Sequence, residues 1–213
     1  MSREKEKGGI MEKCKVCRMI WMVLIIMGIG VGAYPSMRRT EQQKKQEDLI
    51  GIYLQGEMPA QEVLEGHTML GILWIPKVEC KLPILEGTDD IVLQMGAGLL
   101  EGTDKPGREE SSYAVLCAHS GLPEMYAFDR IDELDPGDTI YVITHQWILV
   151  YTMTKQSKVL PEEVHLLLQP SQFANEITLL TCTPYGINTH RLLVQAELSR
   201  SFAAQRSHDS GRK

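Results

Sequence analysis

A thiol and a guanidinium bracket the run Thr178-Leu-Leu-Thr-Cys182-Thr-Pro-Tyr-Gly-Ile-Asn-Thr-His-Arg191-Leu-Leu-Val194. Cys182 is a candidate nucleophile and Arg191 a candidate partner for the oxyanion that a nucleophilic attack on a carbonyl creates. A permanent cation beside a cysteine favours the thiolate, and the same cation can stabilise a tetrahedral intermediate. The chemistry still lacks a proton carrier. Among the six histidines, His119 is the best placed, because it ends the apolar run Tyr113 to Ala118 and precedes Ser120-Gly121-Leu122-Pro123. Taken alone it reads more readily as an ordinary turn residue. His190 is the rival base, but adjacent strand residues face opposite ways, which sets it apart from Arg191.

The elements that must position these groups are strands. Ile177 to Thr181 is apolar and β-branched, and Thr183-Pro184-Tyr185-Gly186 then forces a turn. Leu192-Leu193-Val194 resumes the strand pattern. Antiparallel pairing of the two runs would set Cys182 and Arg191 at one end of neighbouring strands, with the loop between them as a groove wall. Further short runs at Met69–Ile75, Leu82–Leu85, Tyr113–Ala118, Thr139–Ile143, Trp147–Met153 and Leu192–Leu198 are separated by turn signals, which predicts a mainly β barrel. Asp135-Pro136-Gly137-Asp138 has the residues of a type II turn. Ile91–Met95 and Pro123–Phe128 read as short helices.

In these residues the chain resembles a class C sortase, the pilin-type cysteine transpeptidase of Gram-positive bacteria. The resemblance runs from about Gly71 to Leu198. It includes Gly71-Ile-Leu-Trp-Ile-Pro-Lys77, Leu82-Pro-Ile-Leu85, Gly96-Ala-Gly-Leu-Leu-Glu-Gly-Thr103, His119-Ser-Gly-Leu-Pro123, Leu134-Asp-Pro-Gly-Asp138, Tyr151 and the Thr178–Val194 run. It implies an eight-stranded sortase barrel, with His119 as general acid/base, Cys182 as nucleophile and Arg191 as oxyanion stabiliser. The implied reaction cleaves an LPxTG-like sorting signal between Thr and Gly through a thioacyl-enzyme and passes the acyl group to an amine. For a pilin-type enzyme that amine is a pilin lysine. The alternatives are a sortase that anchors surface proteins to the peptidoglycan precursor, and a non-catalytic membrane-tethered barrel that binds sorting signals. In three respects the chain departs from the family, the first being the polar Ser199–Lys213 end where many pilin sortases carry a second membrane segment, so that one membrane anchor is expected. Ser120 stands where an arginine usually follows the histidine, and no Asp-Pro-aromatic lid motif occurs between Tyr34 and Met69.

The N-terminal part is organised differently. Met19 to Tyr34 carries no charge and would span about 24 Å as a helix, short of a bilayer core of roughly 30 Å unless Val16 and Cys17 extend it and Arg18 snorkels. It reads as a signal anchor, with secretory cleavage as the competing reading. The preceding basic residues place the N-terminus in the cytoplasm and the catalytic domain outside the cell. The expected division is a basic tail at 1–18, a transmembrane anchor at 19–34, a polar stalk at 35–68, helical from about Ser36 to Leu54, the barrel at 69–200 and a polar tail at 201–213.

Composition limits the partners. The formal charge of −6 is mild and no basic stripe interleaves with aromatics, which argues against nucleic acid. No metal-ligand cluster or phosphate loop is present, so no cofactor is implied, and Asp89-Asp90 reads as solvated loop charge. Of the five cysteines, Cys14 and Cys17 precede the anchor and lack a second pair for a zinc knuckle. Cys117 reads as a small core residue, and a Cys80–Cys117 disulfide, which would leave Cys182 free, stays open.

Overall fold

Strands that are buried on one or both faces must pair at every edge or expose unpaired backbone, and here the sheet closes on itself. The computed structural model describes residues 3–60, 63–109, 111–121, 127–168 and 175–204. Its strands are β1 (Met69–Ile75), β2 (Cys80–Glu86), β3 (Ala97–Leu99), β4 (Tyr113–Cys117), β5 (Thr139–Ile143), β6 (Trp147–Val159), β7 (Glu176–Thr183) and β8 (His190–Ala203). They form a closed barrel in the order β1-β2-β3-β4-β7-β8-β6-β5, with β5 returning to β1. The pairs β2–β3 and β4–β7 are parallel and the others antiparallel.

Three features differ from the pattern read in the sequence. Strand β3 was not expected, because three residues, one of them a glycine, make no visible alternation. Its place is set by close backbone approach: a Cβ on Gly98 would lie 2.3 Å from the Gly87 carbonyl oxygen. Strands β6 and β8 extend well past their apolar runs, pairing from Trp147↔Ala203 to Val159↔Arg191. Two neighbouring strands sustain each other's hydrogen bonds there, so polar residues are carried into the ladder. Asp89 is not a free loop charge: its Oδ1 accepts from the amides of Ile91 and Val92 at 3.0 Å and caps helix α2 (Asp90–Met95). The expected helix at Pro123–Phe128 lies largely outside the described residues, as does the tail from residue 205.

The barrel interior is filled by fully buried side chains such as Leu73, Ile84, Leu116, Ile140, Leu179 and Val194. Each contributes about 1.5–3 kcal/mol by leaving water. Just before β5 the Asp135–Asp138 turn closes with the Asp138 amide on the Asp135 carbonyl at 3.0 Å and Gly137 at φ +99°. Lys77 Nζ bridges both turn carboxylates at 2.7 Å.

The N-terminal region is one helix, α1 (Arg3–Leu54), of 52 residues. Its last turns pack on the outside of the barrel. Leu49, Ile50 and Tyr53 form a second apolar cluster with Met69, Ile72 and Leu85. The Tyr53 hydroxyl donates to the Leu70 carbonyl at 2.9 Å and accepts from the His145 amide at 3.1 Å, and the two rings stack at 3.8 Å. The polar stretch read as a stalk therefore has one face committed to the barrel. The expected membrane span fares differently. Met19–Tyr34 is helical, with exposed side chains such as Trp21, Ile25 and Ile29. Yet among the described residues no helix is long and apolar enough to cross a membrane. The uncharged stretch is short, glycines at positions 28, 30 and 32 dilute it, and Arg18 and Arg38 stand near its ends.

Candidate active site

Strands β7 and β8 pair so that Cys182 faces Arg191 in register, one step from the end of the ladder at Thr183↔His190. Two strands of opposite direction joined by one loop thus bring together side chains nine positions apart in sequence. Beyond Cys182 the chain turns through a cis Thr183–Pro184 bond. The amides of Ile187 and Asn188 donate to the Pro184 carbonyl at 3.1 and 3.0 Å, and Gly186 and Asn188 take positive φ. Tyr185 and Ile187 are left exposed on this loop, an apolar edge beside the thiol.

His119 arrives from the other side. β4 runs parallel to β7, with Cys117 opposite Leu180. The contact continues past the end of β4: the Ala118 amide donates to the Leu180 carbonyl at 3.3 Å, and the Thr181 hydroxyl donates to the Ala118 carbonyl at 2.7 Å. Ser120 then donates its hydroxyl to the Cys182 carbonyl. His119 lies between two residues that are each bonded to the Thr181–Cys182 segment, which holds it beside the cysteine. His119 and Cys182 are both half-buried, between buried neighbours on either side. Such placement shields the groups while leaving them reachable.

Arg191 is half-buried at the start of β8, and its Nη1 donates to the carbonyls of Asn188 and His190 at 3.2 and 3.1 Å. Two carbonyl acceptors from its own loop restrain the guanidinium while leaving other N–H donors of the fork for a substrate oxygen. His190, the rival base, is exposed, with its Nδ1 at 3.0 Å from the Thr189 hydroxyl.

The other cysteines behave differently. Cys80, Cys117 and Cys182 are all free thiols, so the Cys80–Cys117 disulfide is absent. Burial pushes the Cys117 thiol up to about 12, with the charge of the nearby Cys182 adding to the effect. Burial likewise pushes Cys80 up to about 12, helped by Asp129. Neither is suited to nucleophilic work near neutral pH. The side chains of Cys14 and Cys17 lie outside the described residues.

Two participants were not legible from sequence. Ser120 is the first: read only as a missing arginine, it is 7% exposed and links the two strand ends. Asp129 is the second, an unremarked residue whose Oδ1 accepts from the Gly121 amide at 3.0 Å. Gly121 has φ +80°, and a Cβ there would lie 2.6 Å from the Gly186 amide nitrogen, so the histidine loop and the β7–β8 loop touch backbone to backbone. The glycine was visible in sequence, but its neighbour across the groove was not.

Comparison with known proteins identifies the family. Residues 73–199 match the Sortase domain family. Sortase A of Streptococcus agalactiae serotype III (strain NEM316) is 27% identical over 176 residues, which cover 78% of this chain and 70% of that protein. Among solved structures, sortase C1 of Streptococcus suis is 39% identical with a TM-score of 0.61, covering 64% of this chain and 76% of that one. Clostridium perfringens sortase C, solved with the C-terminal cell wall sorting motif, is 37% identical with a TM-score of 0.59, covering 76% and 89%. With a family match across most of the barrel and sortase C enzymes among its structural neighbours, the chain belongs to the sortase family of cysteine transpeptidases.

Proposed function

We propose that this chain is a pilin-type sortase that cuts an LPxTG-like sorting signal between Thr and Gly and joins the new acyl end to a lysine side chain of a pilin subunit. The observation that carries this reading is the in-register pairing of Cys182 with Arg191, beside a strand end that delivers His119. The Clostridium perfringens sortase C structure, solved with the C-terminal cell wall sorting motif, supports the substrate class.

The Cys182 thiolate attacks the threonine carbonyl carbon, and the C–S bond forms as the carbonyl π electrons move onto oxygen. Arg191 donates N–H bonds to that oxyanion. Collapse of the intermediate breaks the C–N bond, and the imidazolium of His119 gives its proton to the departing glycine amine. A lysine amine then attacks the thioester, His119 takes its proton, and the Cys182 thiolate leaves. The donor step needs His119 protonated and Cys182 ionised, so the rate is bell-shaped in pH.

In the same reading the exposed apolar face of α1 around Met19–Met27 lies in the cell membrane, with the N-terminus cytoplasmic and the barrel outside. Arg18 and Arg38 reach toward the headgroups and compensate for the short apolar length.

Intact-mass measurement of the full chain with an LPxTG peptide, with and without a pilin-lysine peptide, tests the proposal. The expected result is a thioacyl adduct on Cys182 that the lysine peptide resolves into ligated product. His119→Ala, Cys182→Ala and Arg191→Ala each abolish ligation in folded protein. Resolution only by a peptidoglycan-precursor amine would assign the chain to surface-protein anchoring. A folded protein with a free Cys182 thiol and no adduct across several peptides would reduce it to a binding barrel.

A further inference from the structure

The histidine loop is fastened to the N-terminal helix through one carboxylate. Asp129 uses Oδ1 to accept the Gly121 amide at 3.0 Å, and its Oδ2 pairs with Arg39 Nη2 of α1 at 3.1 Å. One residue earlier, the Phe128 amide donates to the His119 carbonyl at 2.8 Å, with the Phe128 side chain 1% exposed in the core. The base of the loop that starts at His119 is thus closed by two consecutive residues, and the second is held by α1.

Arg39 belongs to a definite face of the helix. It lies 7, 11 and 14 positions before Gln46, Ile50 and Tyr53, spacings that return to one side of an α-helix. All three of those residues are packed toward the barrel. Between the Arg39–Asp129 pair and the apolar contact at Ile50 lies a cleft of about 590 Å³. A polar bridge across a cleft, not continuous packing, therefore joins this level of α1 to the barrel. The Asp129 side chain is 13% exposed and that of Arg39 32%, so the pair is shielded more than a surface ion pair.

We infer that Asp129 is a positioning residue for His119, and that Arg39 of α1 holds it in place, so that the N-terminal helix is a working part of the active site. The consequence follows from the loop contacts. Gly121 lies two residues from His119, and between them Ser120 touches the Cys182 carbonyl. Release of the Gly121 amide loosens the segment that fixes the His119 main chain alongside Cys182, while the β7–β8 ladder stays in place. The effect falls on proton transfer and not on substrate binding. The inference rests on the transpeptidase reading above for its catalytic consequence, and on the hydrogen bonds alone for the coupling.

The test uses the full chain and the variants Asp129→Asn, Asp129→Ala, Arg39→Gln and Arg39→Lys. Two readouts are taken: kcat and KM for an LPxTG peptide at fixed amine, and hydrogen exchange of the Gly121 amide by NMR with ¹⁵N-glycine labelling. Asp129→Ala is expected to lower kcat by up to about 100-fold, the cost of a misplaced catalytic group, with KM nearly unchanged. Arg39→Gln lowers kcat a few-fold, Arg39→Lys restores it, and Arg39→Gln with Asp129→Asn is no worse than Asp129→Asn alone. The Gly121 amide is protected in the parent chain and exchanges faster in Asp129→Ala and Arg39→Gln. An unchanged kcat in folded Asp129→Ala, an effect confined to KM, or a freely exchanging Gly121 amide in the parent chain would overturn the inference. If Asp129→Ala does not fold, Asp129→Asn and Arg39→Gln are held to the same outcomes. If the parent chain is inactive while Gly121 protection depends on both residues, the coupling stands and the transpeptidase reading falls.

Discussion

Ser120 donates its hydroxyl to the main-chain carbonyl of Cys182, and so ties the histidine-bearing chain end to the cysteine-bearing strand. The bond is local in space but spans 62 positions in sequence. Ser120→Ala removes the donor and leaves a shielded carbonyl with one fewer partner, at an expected cost of about 1 kcal/mol in denaturant unfolding. Ser120→Arg must place a guanidinium where the serine is nearly enclosed. We expect it to be the more destabilising of the two, by several kcal/mol. Equal or greater stability of Ser120→Arg would show that the surroundings open readily.

The thiols should differ sharply in reactivity. With Cys80 and Cys117 both pushed up to about 12, their thiolate fraction at pH 8 is about 10⁻⁴. Limited iodoacetamide treatment followed by peptide mapping should label Cys182 first among the three. Cys80 and Cys117 become reactive only on unfolding or at strongly alkaline pH. Early labelling of Cys117, half-buried like Cys182, would show that its thiol is not held protonated by its surroundings.

Gly121→Ala tests the contact between the two loops. The substitution puts a Cβ against the Gly186 amide nitrogen and asks an L-residue to hold φ +80°. The backbone strain alone costs about 1–2 kcal/mol. Because relief requires the histidine loop and the β7–β8 loop to separate, ligation should fall by more than the stability loss explains. Comparing Tm with kcat for the variant checks this, and parallel small losses in both would count against it.

Acid should weaken the Asp135–Asp138 turn that precedes β5. The Asp135 amide and Lys77 together hold the Asp138 carboxyl below its ordinary range. A carboxyl whose folded value is depressed contributes stability above its unfolded value and loses it as pH falls through the folded one. Asp138→Asn should therefore lower Tm at pH 7, and its deficit relative to the parent chain should shrink as pH drops below about 4. A deficit that persists unchanged at pH 2 would assign the effect to packing instead of charge.

Local pattern makes much of this protein legible in its sequence. Alternating and β-branched runs announced a barrel, because a strand's burial is written in its own period. The Cys182–Arg191 relationship was also readable, since one loop joins their strands and antiparallel pairing leaves little freedom in register. Tertiary structure alone decided what depends on non-adjacent strands and on α1. The parallel docking of β4 on β7 brings His119 to Cys182, and Ser120 and Asp129 acquire their roles only through partners far away in sequence. Strand β3 is held by a glycine's approach to another backbone, not by side chains that a pattern could show. The polar segment after Tyr34 has the sequence of a stalk because its apolar residues are few. The barrel surface that covers Leu49, Ile50 and Tyr53 is what makes those few sufficient. Periodicity reports how each segment meets water, whereas a site assembled from four chain segments is set by which segments meet one another.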